Sequence, residues 1–166
     1  VLTTGDAFDC DVNGDGVFDS KTERFYYVSE KDGDDTSDYA TLIYYNNVSG
    51  GLPDNTKTYA YNTDTSDYLG PQTSIKQLPT TTQWKNVKLS STTRNITDEK
   101  GTIRVNNFSY AGYATRLLTY QEVYIGCYDK IKNITLKGGL DKKCQYLMEN
   151  TKYSTASNKS YGSWLE

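Results

Sequence analysis

Three observations predict an α+β domain of mostly antiparallel strands with two short helices. Residues 24–30 (RFYYVSE) alternate with period two, and residues 39–50 (YATLIYYNNVSG) carry the densest β-branched and aromatic run in the chain. Residues 115–127 (TRLLTYQEVYIGC) contain Thr119 three places before Glu122, the spacing of a capping box at a helix start. The texture is rich in Tyr, Thr, Ser, Asn and Gly, with 16 Tyr, and such residues favour strands and turns. At 166 residues the chain is long enough for one domain with a core, and a single domain over 1–166 is expected.

In chain order, residues 1–8 (VLTTGDAF) are expected to form a first strand ending near Phe8. A polar loop follows, then the strand at 24–30, a turn cluster at 31–38 (KDGDDTSD) and the strand at 39–50. Together these make a hairpin or meander, an acidic β region covering 1–50. Residues 50–70 read as a long surface connection with one short strand at TYAY. From 70 to 151 the pattern turns to helices and loops. Pro71 sits near a helix start, Ile75 and Leu78 share a helical face, and Pro79 ends or bends it. Residues 80–90 either extend that helix or form a loop anchored by Trp84. Residues 93–113 read as loop and irregular strand around Ile103 and Val105. The helix at 115–127 presents Leu118 and Val123 to the core. A second helix at 140–151 places Leu140, Cys144, Leu147 and Met148 on one stripe, where Met148 is packing. The closing SYGSWLE begins another strand.

The net charge of −3 conceals an asymmetry. Residues 1–40 hold 11 acidic and 3 basic side chains, whereas 41–166 hold 10 and 15. The acidic block centres on DCDVNGDGVFDSKTE. A calcium loop of the EF type takes oxygen ligands at positions 1, 3 and 5, Gly at 6, a carbonyl at 7, a ligand at 9 and Glu at 12. Counted from Asp11, these fall on Asp11, Asn13, Asp15, Gly16, the Val17 carbonyl and Asp19, with the apolar Phe18 at position 8. Position 12 is Thr22, and the acid, Glu23, comes one place late. That displacement weakens binding unless Glu23 or Asp9 compensates. The flanks are β-rich, so a helix-loop-helix sensor is not expected. Two readings stay open: a structural calcium site, or a hairpin turn built on Asn13-Gly14 and Asp15-Gly16.

The absence of histidine removes Ser-His-Asp, Cys-His and His-zinc chemistry. No pair of acids stands out for carboxylate catalysis, and no catalytic residue is expected. No basic run has the density of a nucleic-acid footprint, and no apolar run is long enough to span a membrane. Of three cysteines, Cys127 and Cys144 enclose 16 residues (128 to 143), a span over which a disulfide stabilises by about 3 kcal/mol. They are expected to pair, leaving Cys10 as a single thiol or a bridge to a partner. The sequons at Asn47, Asn95, Asn107, Asn133 and Asn158 are expected mostly by chance in so Asn- and Ser/Thr-rich a chain.

Arg116, Leu117, Thr119 and Glu122 resemble the Arg-Leu-Pro-Thr-x-x-Glu helix start of the C-type-lectin-like and sulfatase-modifying-factor superfamily, with Leu118 in place of Pro. Over nearly its full length the chain also resembles secreted surface proteins of Gram-positive bacteria. The shared phrases are TGDAFDCDVNGDGVFDSKTERFYYVS, ATLIYYNNVSGG, QLPTTTQWKNVKLS, CQYLMENTKYS and YGSWLE. Some of those proteins carry a prepilin-like N-terminal helix that this sequence lacks. In them further strands follow the Trp-Leu-Glu phrase, so the resemblance implies a lectin-like fold whose C-terminal strands are missing here or come from another chain. It further implies an extracellular, cell-surface location and a non-enzymatic adhesion module that binds a protein or glycan on a cell surface. The alternative is a pilin-like filament subunit that self-assembles. The two divide on assembly: a filament subunit polymerises under the electron microscope, and an adhesion module does not.

Overall fold

The computed structural model describes residues 2–3, 5–30, 40–54, 57, 59–63, 69–98, 100–119, 122 and 165–166. Among these, the chain is a set of small antiparallel sheets with almost no helix. Strands β1 (Ala7–Asp9), β2 (Arg24–Glu30) and β3 (Ala40–Tyr44) form a sheet in that order. The hairpin expected from the period-two runs is therefore present as β2 and β3, registered Phe25 to Tyr44, Tyr26 to Ile43 and Tyr27 to Leu42. Phe25, Tyr26 and Tyr27 are all buried. Consecutive burial is what a central strand covered on both faces requires. The expected first strand over 1–8 is shorter and later than its sequence suggests, because only Ala7 to Asp9 reach register with β2.

The run expected as one strand over 39–50 breaks after Tyr44: its end, β4 (Val48–Ser49), makes a tight hairpin with β5 (Leu52–Pro53), at the start of the segment expected to be a surface connection. Its two-residue turn is Gly50-Gly51, with φ of 60° and 81°. A turn with positive φ at both central residues matches the strand twist, and two glycines adopt it without a Cβ penalty. The TYAY strand does not form at its described residues, 59–61. The helix expected from Pro71 onward is a single 3-10 turn, Ser74–Gln77, closed by a Leu78 N–H bond to the Ile75 carbonyl and stopped by Pro79. Ile75 and Leu78 do face the core. Residues 80–90 are a turn-rich loop anchored by Trp84, the second of the two readings.

β6 (Thr93–Thr97) and β7 (Ile103–Ser109) form a bulged antiparallel pair, so residues 93–97 are strand where loop was expected. Residues 115–119 are not helical, whereas Glu122 is, so the helix begins after Thr119 and not at 115. The rest of 115–127, the helix at 140–151, Cys127, Cys144 and the strand at 160–164 lie outside the described residues.

Two apolar clusters hold the sheets together. One joins Ile75, Leu78, Ile96, Phe108 and Tyr110, and the other joins Val12, Phe25, Trp84 and Ala114. Gly70 borders the first, at φ 80°. A Cβ there would lie 2.9 Å from both Ile96 Cδ1 and Phe108 Cδ2, two buried side chains with little room to move. Gly101 has the same φ of 80° but faces open space. Gly101→Ala is therefore expected to cost about 1–2 kcal/mol from the left-handed backbone alone. Gly70→Ala adds overpacking of about 1–3 kcal/mol. Thermal unfolding of the two variants measures the difference, and equal melting temperatures would show that the Gly70 contact relaxes freely.

Candidate functional site

The Asp11–Glu23 loop connects β1 to β2 and is organised by its own side chains. The Asp11 carboxylate accepts N–H bonds from Gly14 (2.6 Å), Asp15 (3.0 Å) and Gly16 (2.9 Å). Asn13 Oδ1 accepts from Asp15 N–H at 2.9 Å, and Asp15 Oδ1 accepts from Val17 N–H at 2.8 Å. Asn13 Nδ2 donates to Asp15 Oδ2 at 3.1 Å. Farther along, Asp19 accepts from the Lys21 N–H (2.8 Å) and the Thr22 hydroxyl (3.0 Å). Those two bonds, the backbone one first, hold the Asp19 carboxyl below its ordinary value. Alternate side chains of this Gly-containing loop thus bond its own backbone N–H groups.

Glu23 resolves the question its spacing raises. Its side chain is buried, and its two oxygens accept from Val12 N–H (3.0 Å) and Asp19 N–H (2.9 Å), one from each end of the loop. The one-place shift follows from the flanks. Glu23 N–H bonds the Asp19 carbonyl at 2.7 Å and its own carbonyl accepts from Cys10 N–H. It therefore closes the loop immediately before β2 begins at Arg24. Glu23 has no ion-pair partner among the described residues.

The loop is fixed to the rest of the fold at several points. Val12 is buried against Phe25, Trp84 and Ala114. Asn86 donates its side-chain N–H to the Asp11 carbonyl (2.8 Å) and its backbone N–H to the Val12 carbonyl (3.1 Å). From β3 and just beyond it, the Tyr44 and Tyr45 hydroxyls donate to the Thr22 and Lys21 carbonyls. Burial pushes the Tyr44 hydroxyl well above its ordinary range, so it stays a donor. Asp9 forms a two-point ion pair with Arg24 (2.9 and 3.1 Å) and takes no place in the loop. Cys10 is a free, half-buried thiol, raised above its ordinary value by burial and then by the Asp9 and Glu23 carboxylates. A raised thiol is a poor nucleophile. Val17 and Phe18 stand exposed at the apex.

As a donor set the loop offers only oxygen, the chemistry of a hard cation. Most of its carboxylate oxygens already hold one hydrogen bond, and an ionised carboxylate offers about four acceptor sites, so capacity remains. Among the described residues, however, no three His, Cys, Asp or Glu side chains converge as a metal cluster. The acids are aimed at loop N–H groups.

A second charged assembly lies beyond β7. Arg116 grips Glu122 with two guanidinium N–H groups, and Thr119 and Glu122 exchange the reciprocal bonds of a capping box (2.8 and 2.9 Å). The sequence signature at these residues is therefore a built helix start. Arg94 of β6 donates to the nearly buried Glu166 carboxylate at 2.8 and 3.0 Å, and Glu166 N–H bonds the Leu118 carbonyl at 2.7 Å. Beside them Tyr110 is fully buried, and its hydroxyl has no hydrogen-bond partner among the described residues. No local signal announces the Arg94–Glu166 pair, whose members are 72 residues apart.

Burial opposes ionisation of Glu122, but the Arg116 bonds and the Thr119 N–H outweigh it and hold its carboxyl below the ordinary value. Its contribution to stability is complete above the unfolded value of about 4.3 and is lost as the pH falls through the lowered one. Glu166 runs the other way: burial raises its carboxyl against the pull of Arg94, so its share falls as the pH rises through the raised range. In urea unfolding, the stability gap between wild type and Glu122→Gln is expected to be widest near neutral pH and to narrow as the pH falls through the lowered Glu122 range. A gap independent of pH would mean that the Arg116–Glu122 charge pair contributes nothing.

Comparison of the chain with protein-family models, with curated proteins and with solved structures finds no match in any of the three.

Proposed function

We propose that this chain is a non-enzymatic extracellular binding or adhesion module of lectin-like type, with a structural calcium ion in its Asp11–Glu23 loop. The observation that carries the calcium reading is Glu23: a buried carboxylate with no ion-pair partner among the described residues, closing a loop whose other side-chain donors are all oxygens. Buried charges are ordinarily paired or coordinate a metal. Asp11, Asn13, Asp15, the Val17 carbonyl, Asp19 and Glu23 would hold the ion, Glu23 through the acceptor sites that its bonds to the Val12 and Asp19 N–H groups leave free. The ion would supply charge neutralisation and rigidity. The protein's own part is to set the oxygens on a loop fastened through Val12 and Asn86 to the Trp84 cluster. The lectin-like and surface-adhesion part rests on the sequence resemblance, and the Arg116, Thr119 and Glu122 geometry is in keeping with it.

With no Glu at position 12, weak binding is expected, in the millimolar range typical of extracellular modules. At about ten times the dissociation constant, calcium then stabilises the fold by about 1.4 kcal/mol. Differential scanning fluorimetry with and without calcium reads this as a rise in melting temperature, with magnesium as the control. Asp15→Ala abolishes the rise. A wild-type melting temperature indifferent to calcium would leave the loop as a hairpin turn held by its own side chains.

A further inference from the structure

We draw no further inference here: the strongest candidate, the exposed Val17–Phe18 apex of the Asp11–Glu23 loop, stands as an apolar pair on an acidic rim, and nothing in the structure shows what covers it.

Discussion

Glu23→Ala is expected to destabilise the fold by about 3 kcal/mol in urea unfolding. The carboxylate accepts two backbone N–H groups, and hydrogen bonds to a charged group contribute about 1.5–3 kcal/mol each. Truncation removes both and strands Val12 N–H, the amide of a residue packed into the Trp84 cluster. Against this stands the cost of burying a carboxylate without a cation, which the variant recovers. The two N–H bonds outweigh that recovery because alanine leaves the buried Val12 N–H and the partly buried Asp19 N–H without this acceptor. Glu23→Gln separates the contributions. It keeps one carbonyl oxygen for one N–H but sets an amide N–H against the other, and it carries no charge. Its expected cost is about 1–2 kcal/mol, between wild type and alanine. If calcium occupies the loop, it widens the gap between wild type and both variants, since the rigid loop binds better than the loosened one. An alanine variant with an unchanged unfolding midpoint would show that Glu23 does not close the loop.

The parts of this fold that could be read in the sequence are those whose cause is local. The β2–β3 pairing follows from period-two alternation, and the Thr119–Glu122 capping box follows from a three-residue spacing. The Asp11 loop was readable for the same reason, since side chains bonding backbone two to five residues away leave their mark in the local pattern. What escaped depends on distance or on very short elements. The Gly50-Gly51 turn is a recognised hairpin signal, but two-residue strands carry no periodicity to flank it. β6 was hidden because its core residues are few: Ile96 is buried, while Thr93 and Asn95 face solvent, leaving little apolar alternation. The sequence places the helix start at 115, ahead of its capping residue Thr119. Arg116 and Leu117 are good helix formers, and Arg116 is instead spent on gripping Glu122 from outside the helix. Glu23 stands out in the sequence as one place late, but its role depends on Val12 turning inward beneath Trp84, which leaves no local mark. Asn86, which bonds the loop from 75 residues away, had no signal at all.

Trp84→Ala is expected to have the largest effect of any single truncation among the described residues, about 4–5 kcal/mol. The indole is buried, with Phe25 at 5.8 Å and 71° and Tyr44 at 5.0 Å and 67°, both edge-on. Edge-on aromatic pairs add about 0.5–1.5 kcal/mol each to the area they bury. Its Nε1–H also donates to the Gly51 carbonyl at 3.1 Å, which holds the β4–β5 turn. The surrounding loop extends this reach. Gln83 bonds the Gly50 carbonyl, Thr81 N–H bonds the Gly112 carbonyl, and Asn86 holds the Asp11 loop. One side chain thus sits where the three-stranded sheet, the small hairpin and the acidic loop meet, and packing cannot readily collapse into the space it leaves. Domains of this size have about 5–15 kcal/mol in all, so the variant is brought near the edge of folding. Trp84→Phe keeps a ring against Phe25 and Tyr44 but leaves the Gly51 carbonyl without its donor, and is expected to cost about 1–2 kcal/mol. Far-UV circular dichroism with urea distinguishes the two. If the alanine variant unfolds within 1 kcal/mol of wild type, a threshold set well below the cost of ordinary large-to-small core changes, the sheets do not depend on this contact. If instead it loses calcium-dependent stabilisation while the phenylalanine variant retains it, the ion's effect reaches the core through Val12 and the ring that covers it.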